Sequence, residues 1–112
     1  MILYGISNCD TVRKARKFLE ANSLSFQFHD FRKDGFSLDV FNQWLKFEPL
    51  EVLINKRSTS WKQLTDEQKK GLVDGTDLTP ILQMPTLIKR PILQMDNCIL
   101  VGFKEADYQA IV

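Results

Sequence analysis

Apolar and polar positions change rhythm twice along this chain. Ile2 to Ile6 is a short apolar run closed by Ser7 and Asn8, which predicts a buried strand. From Asp10 to Asn22, Val12, Ala15 and Leu19 recur at helical spacing, with Arg13, Lys14, Arg16 and Lys17 on the other side. Ser25 to Phe31 then alternates, with Phe26 and Phe28 on one face and Ser25, Gln27 and His29 on the other. Strand, helix and strand within about thirty residues form a βαβ unit, expected to be parallel and right-handed.

After Lys33-Asp34-Gly35 the period becomes helical. Ser37 is a candidate N-cap for a helix carrying Leu38, Phe41 and Leu45. Pro49 should interrupt it, with a short successor at Leu50, Leu53 and Ile54. Thr65-Asp66-Glu67-Gln68 matches a capping box, and Gly71 and Gly75 should keep the helix it opens short. Thr79-Pro80 signals another helix reaching about Met84. Residues 37 to 84 therefore read as a helical insert. The strands Ile92–Met95 and Cys98–Val101, joined by the two-residue turn Asp96-Asn97, read as a hairpin, and Glu105–Val112 as a closing helix. The expected fold is α/β: one thioredoxin-like domain over residues 1–112, with a βαβ half, a ββα half and a four-stranded mixed sheet.

Composition narrows the function classes. The 112 residues suit one domain, and 44% apolar with 26% charged residues is the profile of a folded protein. Fifteen Lys and Arg against fourteen Asp and Glu leave a net charge of +1, without the basic excess that phosphate backbones demand, so no nucleic-acid partner is expected. No apolar run approaches the ~20 residues of a membrane helix. The start, Met1 followed by Ile2-Leu3-Tyr4-Gly5, has no basic n-region, so no signal peptide is expected. Two cysteines make no disulfide scaffold, and a reducing cytoplasm is the expected setting.

Cys9 is the residue with chemistry to offer. It follows a strand and opens a helix, where unpaired N–H groups and the helix dipole favour negative charge. A thiol so placed can fall from ~8.5 to somewhere within ~3.5–7.5. Arg13, close to one turn on, adds positive charge, while Asp10 opposes the thiolate. A free cysteine is often inert and buried, but the strand-to-helix turn favours a reactive thiol. Cys98 precedes Ile99, Leu100 and Val101 and reads as core. It would resolve Cys9 only if their Cα atoms came within ~7 Å. His29, the one histidine, reads as solvated or hydrogen-bonded rather than a base. No Cys/His cluster has zinc spacing, no glycine loop cradles phosphate, and no metal is expected. The run Arg13-Lys14-Ala15-Arg16-Lys17 is a solvated helix face that would also attract an anion.

Asn8-Cys9-Asp10-Thr11, Arg13-Lys14-Ala15 and Ile88-Lys89-Arg90-Pro91 resemble the ArsC/Spx family of thioredoxin-fold proteins. So do Phe28-His29-Asp30, Leu53-Ile54-Asn55-Lys56-Arg57, Trp61, Val101-Gly102-Phe103 and Tyr108-Gln109. Within that family the chain is most similar to the YffB-like branch, described as candidate glutathione-dependent thiol reductases. The resemblance implies Cys9 as nucleophile, with Arg13 and Arg90 as catalytic partners and a cis Arg90–Pro91 bond. It also implies a substrate-binding set of Asn8, Asp10, Thr11, Arg57 and Pro91. A histidine expected four residues before the cysteine is Gly5 here, and a third arginine is replaced within Val101-Gly102-Phe103. Both departures weigh against arsenate as the substrate.

Spx-type proteins have a second cysteine three residues after the first, and here that position is Val12. A lone cysteine needs an external thiol to resolve its mixed disulfide. The expectation is a cytoplasmic monomer, a glutathione-dependent thiol reductase that binds no resident cofactor and takes glutathione or another small thiol or oxyanion as partner. The alternatives are an arsenate reductase and an Spx-like regulator that binds RNA polymerase.

Overall fold

In the computed structural model, which describes residues 1–112, the chain forms two compact units. Residues Met1–Gly35 and Arg90–Val112 make the first, and Phe36–Lys89 the second. The first holds a four-stranded mixed sheet of β1 (Ile2–Gly5), β2 (Gln27–Asp30), β3 (Ile92–Gln94) and β4 (Ile99–Val101), in the order β2-β1-β3-β4. Between β1 and β2 runs α1 (Asp10–Ala21), so this pair is parallel, with Ile2 opposite Gln27 and Gly5 opposite Asp30. Strand β3 returns antiparallel to β1 and β4 antiparallel to β3. This is the thioredoxin-like α/β arrangement.

The packing of this unit follows from the sequence period. Val12, Ala15 and Leu19 are the buried residues of α1. Leu3 and Leu93 stand opposite each other on one face of the sheet, and Ala15, Leu19 and Tyr108 join them in one cluster. Each fully buried Leu contributes roughly 1.5–3 kcal/mol relative to an exposed one. The closing helix is α7 (Glu105–Gln109), shorter than its apolar signal predicts. The Arg90–Pro91 bond is cis and the Met84–Pro85 bond is not.

The helical unit contains α2 (Leu38–Trp44), α3 (Leu50–Leu53), α4 (Thr59–Lys62), α5 (Asp66–Asp74) and α6 (Pro80–Gln83), then a 3₁₀ turn at Pro85–Leu87. Ser37 caps α2, and Thr65 with Gln68 forms the full capping box of α5. Two expectations need correction, and one short helix was not foreseen. Gly71 does not shorten α5; it lies within the helix, where a Cβ would sit 3.2 Å from that of Asp77, and Gly75 ends the helix at φ 73°. Thr79 does not cap α6 with its side chain; its hydroxyl and N–H both donate to Asp77 Oδ1. The single turn α4 has no apolar periodicity to announce it and rests on Ser58 accepting from the Trp61 N–H.

Cys98 also departs from expectation: it is exposed, not core. Met95 N–H donates to the Cys98 carbonyl at 2.9 Å, so Cys98 closes the tight turn before β4 rather than extending the strand. Its neighbour Ile99 is buried, and alternation sends the Cys98 side chain the other way. No helix is long and apolar enough to cross a membrane.

Tyr108 yields a stability prediction. Its ring is fully buried, edge-on to Phe18 and Phe103 with centroids at 5.9 and 4.7 Å. Its hydroxyl has no hydrogen-bond partner, and burial pushes its pKa far above the ordinary phenol. Tyr108→Phe removes an unsatisfied polar atom and keeps the packing. Urea denaturation should show unchanged stability or a gain of about 1–3 kcal/mol. A loss above ~1 kcal/mol would mean the hydroxyl is bonded.

Candidate active site

The site grows from the junction of β1 and α1. Gly5 ends β1, and the Phe31 N–H donates to its carbonyl at 2.9 Å, carrying the pairing with β2 one step further. The chain then turns through Ile6, Ser7 and Asn8. The Cys9 N–H donates to the Ile6 carbonyl at 3.1 Å, and the Cys9 carbonyl accepts from the Arg13 N–H at 3.0 Å. Cys9 is thus the N-cap of α1, extended at φ −92° and ψ 127°. An N-cap side chain faces the N–H groups of the second and third helical residues, which serine or aspartate would normally satisfy with an oxygen. Here a half-buried sulfur stands in that place and closes no cap hydrogen bond.

The electrostatics at the sulfur have opposing parts. Burial alone pushes the Cys9 thiol up. The backbone N–H groups of Val12 and Thr11, and the Arg90 guanidinium acting as donor and as charge, outweigh burial. The result lies below the ordinary thiol value. Arg90 is half-buried and arrives from the segment before β3. Its neighbour Pro91 is buried, and the Pro91 carbonyl accepts from the Gly102 N–H at 2.8 Å. Gly102 sits at φ 74°, a conformation glycine adopts without strain.

The residues named from the sequence divide accordingly. Cys9 and Arg90 come together. Arg13 pairs instead with the Asp10 carboxylate, three residues away. Both are well exposed, at 54% and 82%, so the pair is worth little energetically. It does answer the Asp10 charge that would otherwise oppose a thiolate. Asn8 and Thr11 are exposed beside the nucleophile. Arg57 belongs to the helical unit, is exposed, and donates its backbone N–H to Asn55 Oδ1 at 3.1 Å. His29 Nε2 lies 2.7 Å from the Gly35 carbonyl and its ring 4.8 Å from that of Tyr4, a hydrogen-bonded, packed role.

Two features escaped the sequence reading. Gly5 is there because α1 comes close: a Cβ on it would lie 2.7 and 3.0 Å from the two Val12 methyls. Gly5 and Val12 are therefore a matched pair. The other is Asp30, buried at 3% exposure, whose carboxylate accepts from the Ser7, Arg32 and Lys33 N–H groups. Burial pushes its pKa up, but these donors together with the Ser7 hydroxyl hold it below the ordinary carboxylate value. Its signals in the sequence were its place at the end of β2 and within the family-like stretch Phe28-His29-Asp30, neither of which pointed to Ser7.

Comparison with known proteins adds a family. The sequence matches the ArsC family over residues 4–111. An uncharacterised protein of Haemophilus influenzae is 44% identical over 108 residues, covering 96% of this chain and 95% of its own. The global transcriptional regulator Spx of Lactiplantibacillus plantarum is 30% identical, covering 94% of this chain and 80% of its own. Among solved structures, the YffB protein superposes with a TM-score of 0.90 at 33% identity, covering 97% of this chain and 96% of its own.

Two outcomes follow from this geometry. Iodoacetamide labelling of Cys9 across pH, read by peptide mass, should give a midpoint below ~8.5. Arg90→Ala should raise that midpoint, and Arg13→Ala, which only uncovers the exposed Asp10 charge, should raise it less; the reverse ranking would overturn the assignment. Gly5→Ala should cost about 1–3 kcal/mol through collision with Val12. Adding Val12→Ala should cost less than the two single losses combined, as urea denaturation of the cycle would show, and strict additivity would deny the contact.

Proposed function

The chain belongs to the ArsC family, and from that membership we propose that it is a thiol reductase working through Cys9 alone, with glutathione as co-substrate. The observation that supports this best is the Cys9 sulfur, lowered in pKa between the first turn of α1 and Arg90, with no second thiol in reach. The register argues against Cys98 as that second thiol. Ile2 pairs with Gln94, so the β3–β4 turn lies at the start of β1, whereas Cys9 follows its end. The four residues of β1 separate the two levels by roughly 13 Å. A disulfide needs Cα atoms within ~7 Å.

The cycle has two exchanges. The Cys9 thiolate attacks one sulfur of a disulfide, forming a mixed disulfide and expelling the other half as a thiolate. A glutathione thiolate then attacks the sulfur bound to Cys9, and Cys9 leaves as the thiolate again. The product leaving Cys9 is a mixed disulfide of glutathione with the remaining half of the substrate. A second glutathione thiolate attacks its glutathione sulfur, releasing the substrate thiolate and oxidised glutathione, so two glutathiones are oxidised for each disulfide reduced. Arg90 favours the thiolate at both ends of the cycle. The exposed Arg13, Lys14 and Lys17 present positive charge to the carboxylates of glutathione. A reduced glutathione pool, as in a cytoplasm, is the setting this requires.

The likeness to Spx favours one rival, a regulator that binds RNA polymerase. Val12 removes the two-cysteine switch from that reading but not the binding, and retention of polymerase by the immobilised protein would support it. Arsenate reduction is disfavoured by Gly5 and by the missing third arginine.

Oxidised glutathione should convert the Cys98→Ser protein to a single adduct on Cys9, reversible by reduced glutathione. Cys9→Ser should abolish it, and Arg90→Ala should slow it several-fold. Intact mass showing no adduct, or an internal Cys9–Cys98 disulfide in the unaltered protein, would contradict the single-thiol cycle.

A further inference from the structure

The loop that presents Cys9 is tied to the neighbouring strand β2 through Asp30. Among the hydrogen bonds that hold the turn between β1 and α1 are Phe31 N–H to the Gly5 carbonyl, Cys9 N–H to the Ile6 carbonyl, and Ser7 N–H to Asp30 Oδ2 at 3.1 Å. Of these three, the last comes from a side chain, and the Ser7 hydroxyl also bonds that carboxylate. Asp30 is the one charged residue buried in the protein. A buried carboxylate is costly unless its oxygens are satisfied, and here the two oxygens divide the work. Oδ1 accepts from the Arg32 and Lys33 N–H groups at 2.8 and 3.2 Å, closing the local turn after β2. Oδ2 reaches across 23 residues to Ser7, two positions before the nucleophile.

We propose that Asp30 is a positioning residue for the Cys9 nucleophile: through Ser7 it fixes the turn that aims the Thr11 and Val12 N–H groups at the sulfur. The local turn needs one oxygen, and the second does nothing else but hold the loop. The charged groups around Asp30 are Asp34, whose carboxylate accepts from the Asp30 N–H at 2.9 Å, and the exposed Arg32 and Lys33. This inference rests on Cys9 being the reactive thiol of the proposed reductase. Its test reads that thiol without glutathione, so the two can fail separately.

Asn at this position keeps one acceptor oxygen. Turned toward Arg32 and Lys33, that oxygen preserves two bonds and sets an amide NH₂ against the Ser7 N–H. Asp30→Asn therefore cuts the link to the loop selectively. It also deletes a negative charge, and the two consequences have opposite signs. Loss of charge alone would lower the Cys9 pKa, whereas loss of positioning would raise it. The measurement is the pH profile of iodoacetamide alkylation at Cys9 in the full chain, with circular dichroism and a melting curve to establish folding. The midpoint should rise by about half to one pH unit in Asp30→Asn, so that alkylation near neutral pH falls about three- to tenfold. Ser7→Ala, at a half-exposed position, removes only the hydroxyl that also bonds Asp30 and should shift the midpoint the same way by less. If Asp30→Asn does not fold, Ser7→Ala decides. A midpoint that stays or falls in the folded variants would overturn the role.

Discussion

A helix start leaves several N–H groups without partners, and in this protein a sulfur occupies the position where a capping oxygen belongs. The rest of the site depends on that substitution. An oxygen cap would hold those N–H groups permanently. A thiol engages them weakly and a thiolate strongly, so the N–H groups of Thr11 and Val12 stabilise the ionised form in preference to the neutral one. Arg90 adds a full charge from the far side of the sequence. Burial works against all three and loses.

The sheet is the reason Cys9 acts alone in the proposed cycle. Parallel pairing of β1 with β2 forces α1 to cross over, which puts the start of the helix beyond the carboxyl end of β1. The antiparallel return of β3 carries the other cysteine to the opposite end. Within α1, the position that could host a resolving thiol is filled by Val12, packed so closely on β1 that only glycine fits at position 5. In the proposed reductase, sheet register and this tight contact leave the second exchange to an external thiol.

The βαβ unit was legible because Val12, Ala15 and Leu19 repeat at helical spacing and are the very residues α1 buries. The capping box at Thr65 and Gln68 was legible because both partners are local. What misled was context at a range that periodicity does not reach. Cys98 heads an apolar run, but the bond from Met95 places it in the turn. Arg13 lies at the right spacing to help Cys9, yet the nearer carboxylate of Asp10 takes it. Arg90, eighty-one residues away in sequence, does what proximity assigned to Arg13, and its signal lay in the family motif rather than in local pattern. Asp30 was invisible as a site residue because its contact with Ser7 exists only once β2 lies beside β1.

The most direct test of the central claim is the ultraviolet absorbance of the thiolate, followed against pH in the Cys98→Ser protein with the Cys9→Ser, Cys98→Ser double variant as blank. A single transition below ~8.5, lost from the blank and moved upward by Arg90→Ala, is the result expected if the first turn of α1 and Arg90 hold Cys9 as a thiolate. A transition at or above that value, or one indifferent to Arg90, would contradict it.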